Sequence, residues 1–413
     1  MSFPKIQQIL LDNNIKIMFV NIKNVKTVSV AVTIDTGYYE ENENEIGLAH
    51  FLEHMIARHL RDGDMIEKIR KRGAIVNTNA YTSTFRTSYY AYGDSKFTKD
   101  IINLILDTYF YREINQDIFE QERTAVVVEM KQKMIRKDIV AQIKDLPILI
   151  FGKKTHLQSD PQKHINVVKK ATDQDLINFM NKHYKPGKTT ITVSGDFDKL
   201  KCLNIIKGKT KMLPKTPLIH QLKSRSMKPL KTGTFPKIKI VPDSSRKVTK
   251  ILFTFIIFNS YEYQKKYHGK LLRNVLSRIG DRSILFDRLR SKLGVTYSPK
   301  ADIDTTPYFG EFDFTMEVEP KNIEKALVEL VKIINESKTQ LYPKNLIDLA
   351  KSKTQLSIKD SLYDISPTNY LDYADKVINE EEIIDPQIAY NKYIKKTKLE
   401  DLRNIAKLMF KKS

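Results

Sequence analysis

Short runs rich in β-branched and apolar residues alternate along this chain with longer stretches whose apolar positions recur every three or four residues. The first kind predicts strands and the second amphipathic helices. In the first half, strands are expected at Ile15–Val20 and Thr27–Ile34, followed by a loop through Gly37 and the acidic stretch Glu40–Glu45. A helix should run from Ile46 to about Leu60, with acids at its N-terminal end, where the helix dipole favours negative charge. A second helix, near Asp64–Arg72, stops before Gly73. Strands at Ala74–Tyr81 and Thr87–Ala91 precede two long helices, Thr98–Arg112 and Gln116–Arg136. More helix is expected near Ile139–Ile148 and Asp173–His183, and a last strand at Thr189–Ser194.

The second half repeats this order. Strand Val248–Phe258 leads into helices near Gln264–Ile279 and Arg282–Leu293, then strands Val295–Asp302 and Glu311–Val318. Helices at Lys321–Asn335 and Lys344–Asp360 follow, with C-terminal helices near Pro367–Ile378 and Leu399–Lys411. Matching order in two halves predicts an internal duplication of about 200 residues. Runs of strand alternating with runs of helix predict α+β domains rather than a doubly wound parallel sheet. Between the halves, the stretch from Lys207 carries Pro214, Pro217, Pro229 and Pro236, many lysines and little periodicity, as a connector does. The expected division is residues 1–208, a basic linker over 209–236, and a second domain over 237–413.

Composition narrows the class. With 413 residues, 41% of them hydrophobic and 29% charged, the chain is long enough for two or three domains and close to globular averages. No stretch approaches the ~18 consecutive apolar residues of a membrane span. The start, Met-Ser-Phe-Pro-Lys, has neither the apolar centre of a secretory signal nor the pattern of a transit peptide, so an intracellular location is expected. The single cysteine, Cys202, permits no intrachain disulfide, fits a reducing compartment and reads as a small core residue. It also excludes a Cys-type structural zinc site, so any metal must be held by His, Asp or Glu. The net charge of +21 is concentrated. Residues 201–250 hold 14 basic residues and one acidic, Asp243, for +13, and residues 251–300 hold 10 and 3, for +7. Such a region reads either as a basic patch for nucleic acid, an anionic surface or an acidic peptide, or as a solvated lysine-rich connector; its several prolines and lack of interleaved aromatics that stack on bases favour the connector, and a nucleic-acid partner is not expected. The Lys/Ile/Asn-heavy composition points to an AT-rich genome, such as that of a large DNA virus or an intracellular parasite.

One cluster carries chemistry. In His50-Phe51-Leu52-Glu53-His54, positions i, i+3 and i+4 share one helix face, so both imidazoles and the carboxylate point the same way among Leu48, Phe51, Leu52, Met55 and Ile56. This is the H-x-x-E-H arrangement of inverted zincins, in which two histidines hold zinc and the glutamate sits beside an open position. Charged and imidazole groups on an apolar face cost free energy unless partnered, which favours a metal over two ordinary helix histidines. A third ligand is needed. The helix Gln116–Arg136 offers Glu122 and Glu129, seven residues apart on one face; a surface-facing carboxylate pair is the alternative. His59, five residues past His54, is expected to face solvent, and His156, His164 and His220 sit in polar stretches and look incidental.

Along nearly its whole length the chain resembles the pitrilysin/insulinase/mitochondrial-processing-peptidase family of zinc metallopeptidases. The likeness starts at Val28–Val32, passes Gly37, and reaches Gly47-Leu48-Ala49-His50-Phe51-Leu52-Glu53-His54-Met55. It resumes at Asn79-Ala80-Tyr81-Thr82-Ser83 with Thr87 and Tyr89, at Glu122-Arg123 and Glu129, at His183-Tyr184-Lys185-Pro186, and at Gly195-Asp196. In the second half, Leu289-Arg290 and Tyr297, with Gly294 between them, match the family's Arg/Tyr pair. Ala74–Thr78, Thr84-Phe85 and Thr155-His156-Leu157 depart from the family pattern and bear on substrate preference more than on metal binding.

The resemblance implies the following expectations. Each half would be a mostly antiparallel sheet flanked by helices, and the two would face each other as a clamshell. One Zn²⁺ would be held by His50, His54 and Glu129. Glu53 would be the general base, and Glu122 would orient a ligand. Asn79, Ala80, Tyr81 and Thr82 would offer a strand edge to an extended substrate. Arg290 and Tyr297 would bind the substrate carbonyl. The equivalent helix of the second half reads Tyr267-His268-Gly269-Lys270-Leu271 and lacks the motif, so one chain has one site. The expected activity is a zinc endopeptidase acting on peptides or unfolded segments, paired with a second copy or a homologous subunit. The rival expectation is a catalytically silent family member that serves as a binding or scaffold subunit.

Overall fold

The computed structural model describes residues 3–111, 113–153, 155–218, 238–363 and 366–411. It divides into two compact units, one of residues 2–221 with 365–380, the other of residues 222–364 with 381–413. The architecture is α+β, as expected.

The first unit is built on a six-stranded sheet. Its strands are β1 (Ile6–Leu10), β2 (Lys16–Asn21), β3 (Thr27–Ile34), β4 (Val76–Thr82), β5 (Thr87–Asp94) and β6 (Thr189–Gly195), in the order β1-β2-β6-β3-β5-β4. Only the β2/β6 pair is parallel. On β3, Val28, Val30, Val32 and Ile34 alternate inward and meet Val193 and Ile191 of β6. They pack under α1 (Leu48–Asp62), α2 (Asp64–Lys71), α3 (Thr98–Leu106) and α4 (Gln116–Ile135). The short helices α5 (Lys137–Val140) and α6 (Leu146–Phe151) flank a π-helical turn; α7 (Pro161–Val168), α8 (Asp173–His183) and α9 (Lys199–Thr210) complete this layer.

The opposite face of the same sheet is lined by hydroxyls, Ser29, Thr33, Ser88, Thr190, Thr192 and Ser194, all buried. Residues 366–380 cover it as a short 3₁₀ turn, Pro367–Tyr370, and a helix, Tyr373–Ile378. Buried Arg86 ties this segment down. Its guanidinium pairs with Asp35, donates to Asn379 Oδ1 at 2.6 Å and lies 3.3 Å from Asp375. Residues 365–380, expected in the second domain, therefore belong to the first unit. The expected linker is also shorter at its start. The side chains of Asn13 and Asn14 donate to the carbonyls of Thr210 and Thr216, and Gly187 N–H to the Thr216 hydroxyl, so residues 210–217 are fastened to the first unit. Residues 219–237, including His220 and most of that linker, lie outside the described residues.

In the second unit, β7 (Thr249–Ile257), β8 (Lys300–Thr305) and β9 (Gly310–Val318) form an antiparallel sheet in the order β7-β9-β8. Helices α10 (Tyr263–Ser277), α11 (Ile323–Thr339), α12 (Lys344–Tyr363) and α13 (Leu399–Met409) surround a core of Leu271, Val275, Phe312, Phe314, Leu330, Leu402 and Phe410. The expected duplication is visible as topology: β3-β5-β4 and β7-β9-β8 have the same order and pairing, with α1 and α10 at the same place in the sequence of elements. The stretch expected as a regular helix over Arg282–Leu293 is instead π-helical from Phe286 to Lys292. The strand expected from Val295 begins at Lys300.

Candidate metal centre

The site grows from the start of α1. Gly47 stands at the helix N-cap with φ +93°, and the buried Glu41 carboxylate accepts from Gly47 N–H at 2.8 Å and Ala49 N–H at 2.9 Å. Two of the free N–H groups at the helix start are thus satisfied by a side chain from the preceding loop. Burial pushes the Glu41 carboxyl up to about 8 in spite of those two bonds. One turn into α1, His50, Glu53 and His54 project from one face, and their ligand atoms lie within 4.8 Å of one another.

Helix α4 crosses this face and supplies both acids. Glu129 Oε2 lies 3.5 Å from His50 Nε2 and 3.4 Å from His54 Nε2. The other oxygen, Oε1, pairs with Lys133 one turn on, at 2.8 Å. Glu122 Oε2 stands 3.1 Å from His54 Nδ1, and its Oε1 lies 3.6 Å from Arg58. Glu53 Oε2 is 3.9 Å from His50 Nε2. Two bonds of ~2.0–2.1 Å at a tetrahedral angle subtend ~3.4 Å between the bound atoms. Glu129 Oε2 stands at about that separation from each of the two imidazole nitrogens, 3.5 Å from His50 Nε2 and 3.4 Å from His54 Nε2. These residues fit a zinc ion, with His50, His54 and Glu129 as its holders.

The electrostatics agree with that division of roles. Burial, with the neighbouring His54, holds the His50 imidazole down at about 3, so it is neutral. Burial opposes charge on His54, but its bonds to Glu129 and Glu122 outweigh this and raise its pKa. Bonding to His54 and then Lys133 keeps Glu129 well below the usual carboxylate range, although burial opposes it. Glu53 is different: burial raises its carboxyl to about 7, against the pull of His54, which makes it a group able both to take and to return a proton near neutrality.

The remaining expected residues fall in two places. Asn79, Ala80, Tyr81 and Thr82 lie on β4, the terminal strand of the sheet, and α1 packs beside it. Arg290 and Tyr297 lie in the second unit, stacked on each other. The guanidinium carbon of Arg290 is 4.0 Å from the Tyr297 ring centre and 4.5 Å from that of Phe286, and Tyr297 is exposed. Two expectations need correction. His59 does not simply face solvent: its Nε2 meets Asp107 Oδ2 at 2.9 Å and its ring packs 5.0 Å from Tyr111. His164 does not sit in a loop. It is buried on α7, with its ring 5.4 Å from that of His50. The pair Asp160-Pro161, a cap and a first-turn proline, marks the start of that helix and could have removed His164 from a loop. Lys133 was legible too, as the i+4 partner of Glu129.

Comparison with known proteins places the chain in a family. Residues 16–143 match the family described as Insulinase (Peptidase family M16), and residues 170–354 match the Peptidase M16 inactive domain. The chain belongs to this family. It is 26% identical over 198 residues to the mitochondrial-processing peptidase subunit beta of Rattus norvegicus, a match spanning 47% of this chain and 40% of that relative. It is 25% identical over 207 residues to the cytochrome b-c1 complex subunit 1 of Mus musculus, over 49% of this chain and 42% of that one. The chain thus spans under half the length of these curated relatives. Its fold is similar to the crystal structure of a protease from Helicobacter pylori, with a TM-score of 0.79 at 18% identity, covering 99% of this chain and 97% of that one. Among the described residues no helix is long and apolar enough to cross a membrane.

Proposed function

We propose that this chain is a zinc-dependent endopeptidase that hydrolyses peptide bonds in peptides or unfolded segments. The observation that carries this reading is the convergence of His50 Nε2, His54 Nε2 and Glu129 Oε2 at 3.4–3.5 Å, with Glu53 beside them. When bound, zinc supplies a Lewis acid that activates water near neutral pH and polarises a carbonyl. The chain's own residues do the rest. Glu53 takes the proton of the attacking water and passes it to the leaving amine. Glu122 holds His54 by Nδ1, so that Nε2 faces the metal. The terminal strand β4 offers its backbone to an extended peptide. Arg290 and Tyr297 are assigned to binding the substrate carbonyl.

Both mitochondrial relatives are named as subunits, which supports pairing of this chain with a second copy or a homologous partner. The likeness to a subunit of the cytochrome b-c1 complex also favours a second reading, a silent scaffold subunit. Metal content and one variant separate the two. The endopeptidase reading expects about one zinc per chain by elemental mass spectrometry, cleavage of a peptide library, and a Glu53→Gln variant that keeps zinc and loses cleavage. A metal-free wild-type chain, or a fully active Glu53→Gln, overturns it.

A further inference from the structure

A histidine that binds a metal through one ring nitrogen almost always donates the other N–H to a protein acceptor, which sets its tautomer and orientation. His54 obeys this, with Nδ1 at Glu122. His50 does not: its Nδ1 is buried and has no hydrogen-bond partner among the described residues. A second orphaned nitrogen lies close by. His164 is 2% exposed, and its Nε2 is likewise buried without a partner. The two rings meet edge to face, with centres 5.4 Å apart and planes at 81°. With ring nitrogens ~1.1 Å from each centre, an N–H···N bond of ~3 Å with both nitrogens on the line of centres corresponds to a separation of ~5.2 Å, so the spacing of the two rings leaves room for that bond. The bond needs one imidazole to turn so that its in-plane lone pair faces the N–H of the other ring.

The surroundings hold His164 in place. A Cβ on Gly47 would fall 2.4 Å from His164 Cδ2 and 2.6 Å from its Nε2, so the imidazole rests directly on the backbone at the start of α1, three residues before His50. Glycine is required there twice over, by this contact and by its positive φ.

We propose that His164 is a positioning residue for His50: its Nε2 accepts the His50 Nδ1–H and keeps His50 Nε2 turned to the metal. This rests on the zinc reading above. The test compares wild type, His164→Phe and His164→Gln by competition for Zn²⁺ against a chromophoric chelator, with thermal melts of the metal-free proteins. Phenylalanine keeps the ring volume without an acceptor, and should weaken zinc binding by ~10–100-fold. Glutamine restores an acceptor and should recover most of that loss. A folded His164→Phe that binds zinc within about twofold of wild type overturns the proposal. If that variant does not fold, ¹⁵N-histidine spectra of the wild type decide. His164 protonated on Nδ1, with a bare Nε2, is expected; protonation on Nε2 removes the acceptor and overturns it. A wild-type chain that takes up no zinc defeats the parent reading instead, and the tautomer of His164 still tests this one.

Discussion

Replacing Glu122 with leucine isolates the contribution of an outer carboxylate to the metal centre. Glu122 is buried on α4, and its Oε2 receives the His54 Nδ1–H at 3.1 Å. A hydrogen bond to a charged acceptor contributes ~1.5–3 kcal/mol, and leucine has similar bulk without the acceptor. At about 1.4 kcal/mol per tenfold, its loss should weaken zinc binding ~10–150-fold, in line with the usual cost of removing such a partner. The fold should tolerate the change. Arg58, which also faces Glu122, keeps its ion pair with Asp62 at 2.7 Å, so no cation is stranded. Glu122→Gln should fall between, because its carbonyl can serve His54 only by turning its amide toward Arg58. Zinc dissociation constants measured by chelator competition, at constant pH and salt, give the answer. A folded Glu122→Leu whose zinc affinity lies within about threefold of wild type would refute the reasoning, and with it the claim that His54 is aimed by Glu122.

Two further predictions concern the frame of the site. Burial raises the Glu41 carboxyl from 4.5 to about 8, so between those values the folded metal-free chain holds a proton that the unfolded chain has released. Glu41 should therefore favour folding fully below pH 4.5, and that contribution should be lost as pH rises toward 8. Glu41→Gln should flatten this slope in thermal melts and cost ~1–3 kcal/mol, because one of Gly47 N–H and Ala49 N–H loses its acceptor; unchanged slopes would contradict the assignment. Arg86→Leu removes the guanidinium that pairs with the buried Asp35 carboxylate and donates to Asn379, and should cost ~3–5 kcal/mol in urea unfolding while exposing residues 366–380 to proteolysis. A change below ~1 kcal/mol would show that the segment is held by other contacts.

The residues that were legible are those related by local geometry. His50, Glu53 and His54 share a face because a helix repeats every 3.6 residues, and Glu122 and Glu129 share one for the same reason. The strand pattern of the core was equally readable, since β3 alternates and is bounded by a turn at each end. β1 escaped notice because it is a short edge strand whose centre is Gln7-Gln8, with little to bury. The π-helical turn at Phe286–Lys292 escaped because its residues have ordinary helical character; stacking of Arg290 between Phe286 and Tyr297 accompanies the wider turn.

Periodicity, spacing and the charge of each segment were enough to establish two α+β halves, the zinc motif and its placement on a helix. They could not say that α4 lies across α1 so that Glu129 meets both imidazoles, nor that a histidine 114 positions beyond His50 packs against it. Nor could they assign residues 366–380 to the first unit, where one buried guanidinium reaches Asn379 across 293 positions of chain and Lys16 donates to the Val377 carbonyl. Hydrogen-bonded periods act over a few residues and are written locally. The burial of a polar group has to be compensated by whatever partner the packing brings to it, and that partner can lie anywhere in the chain.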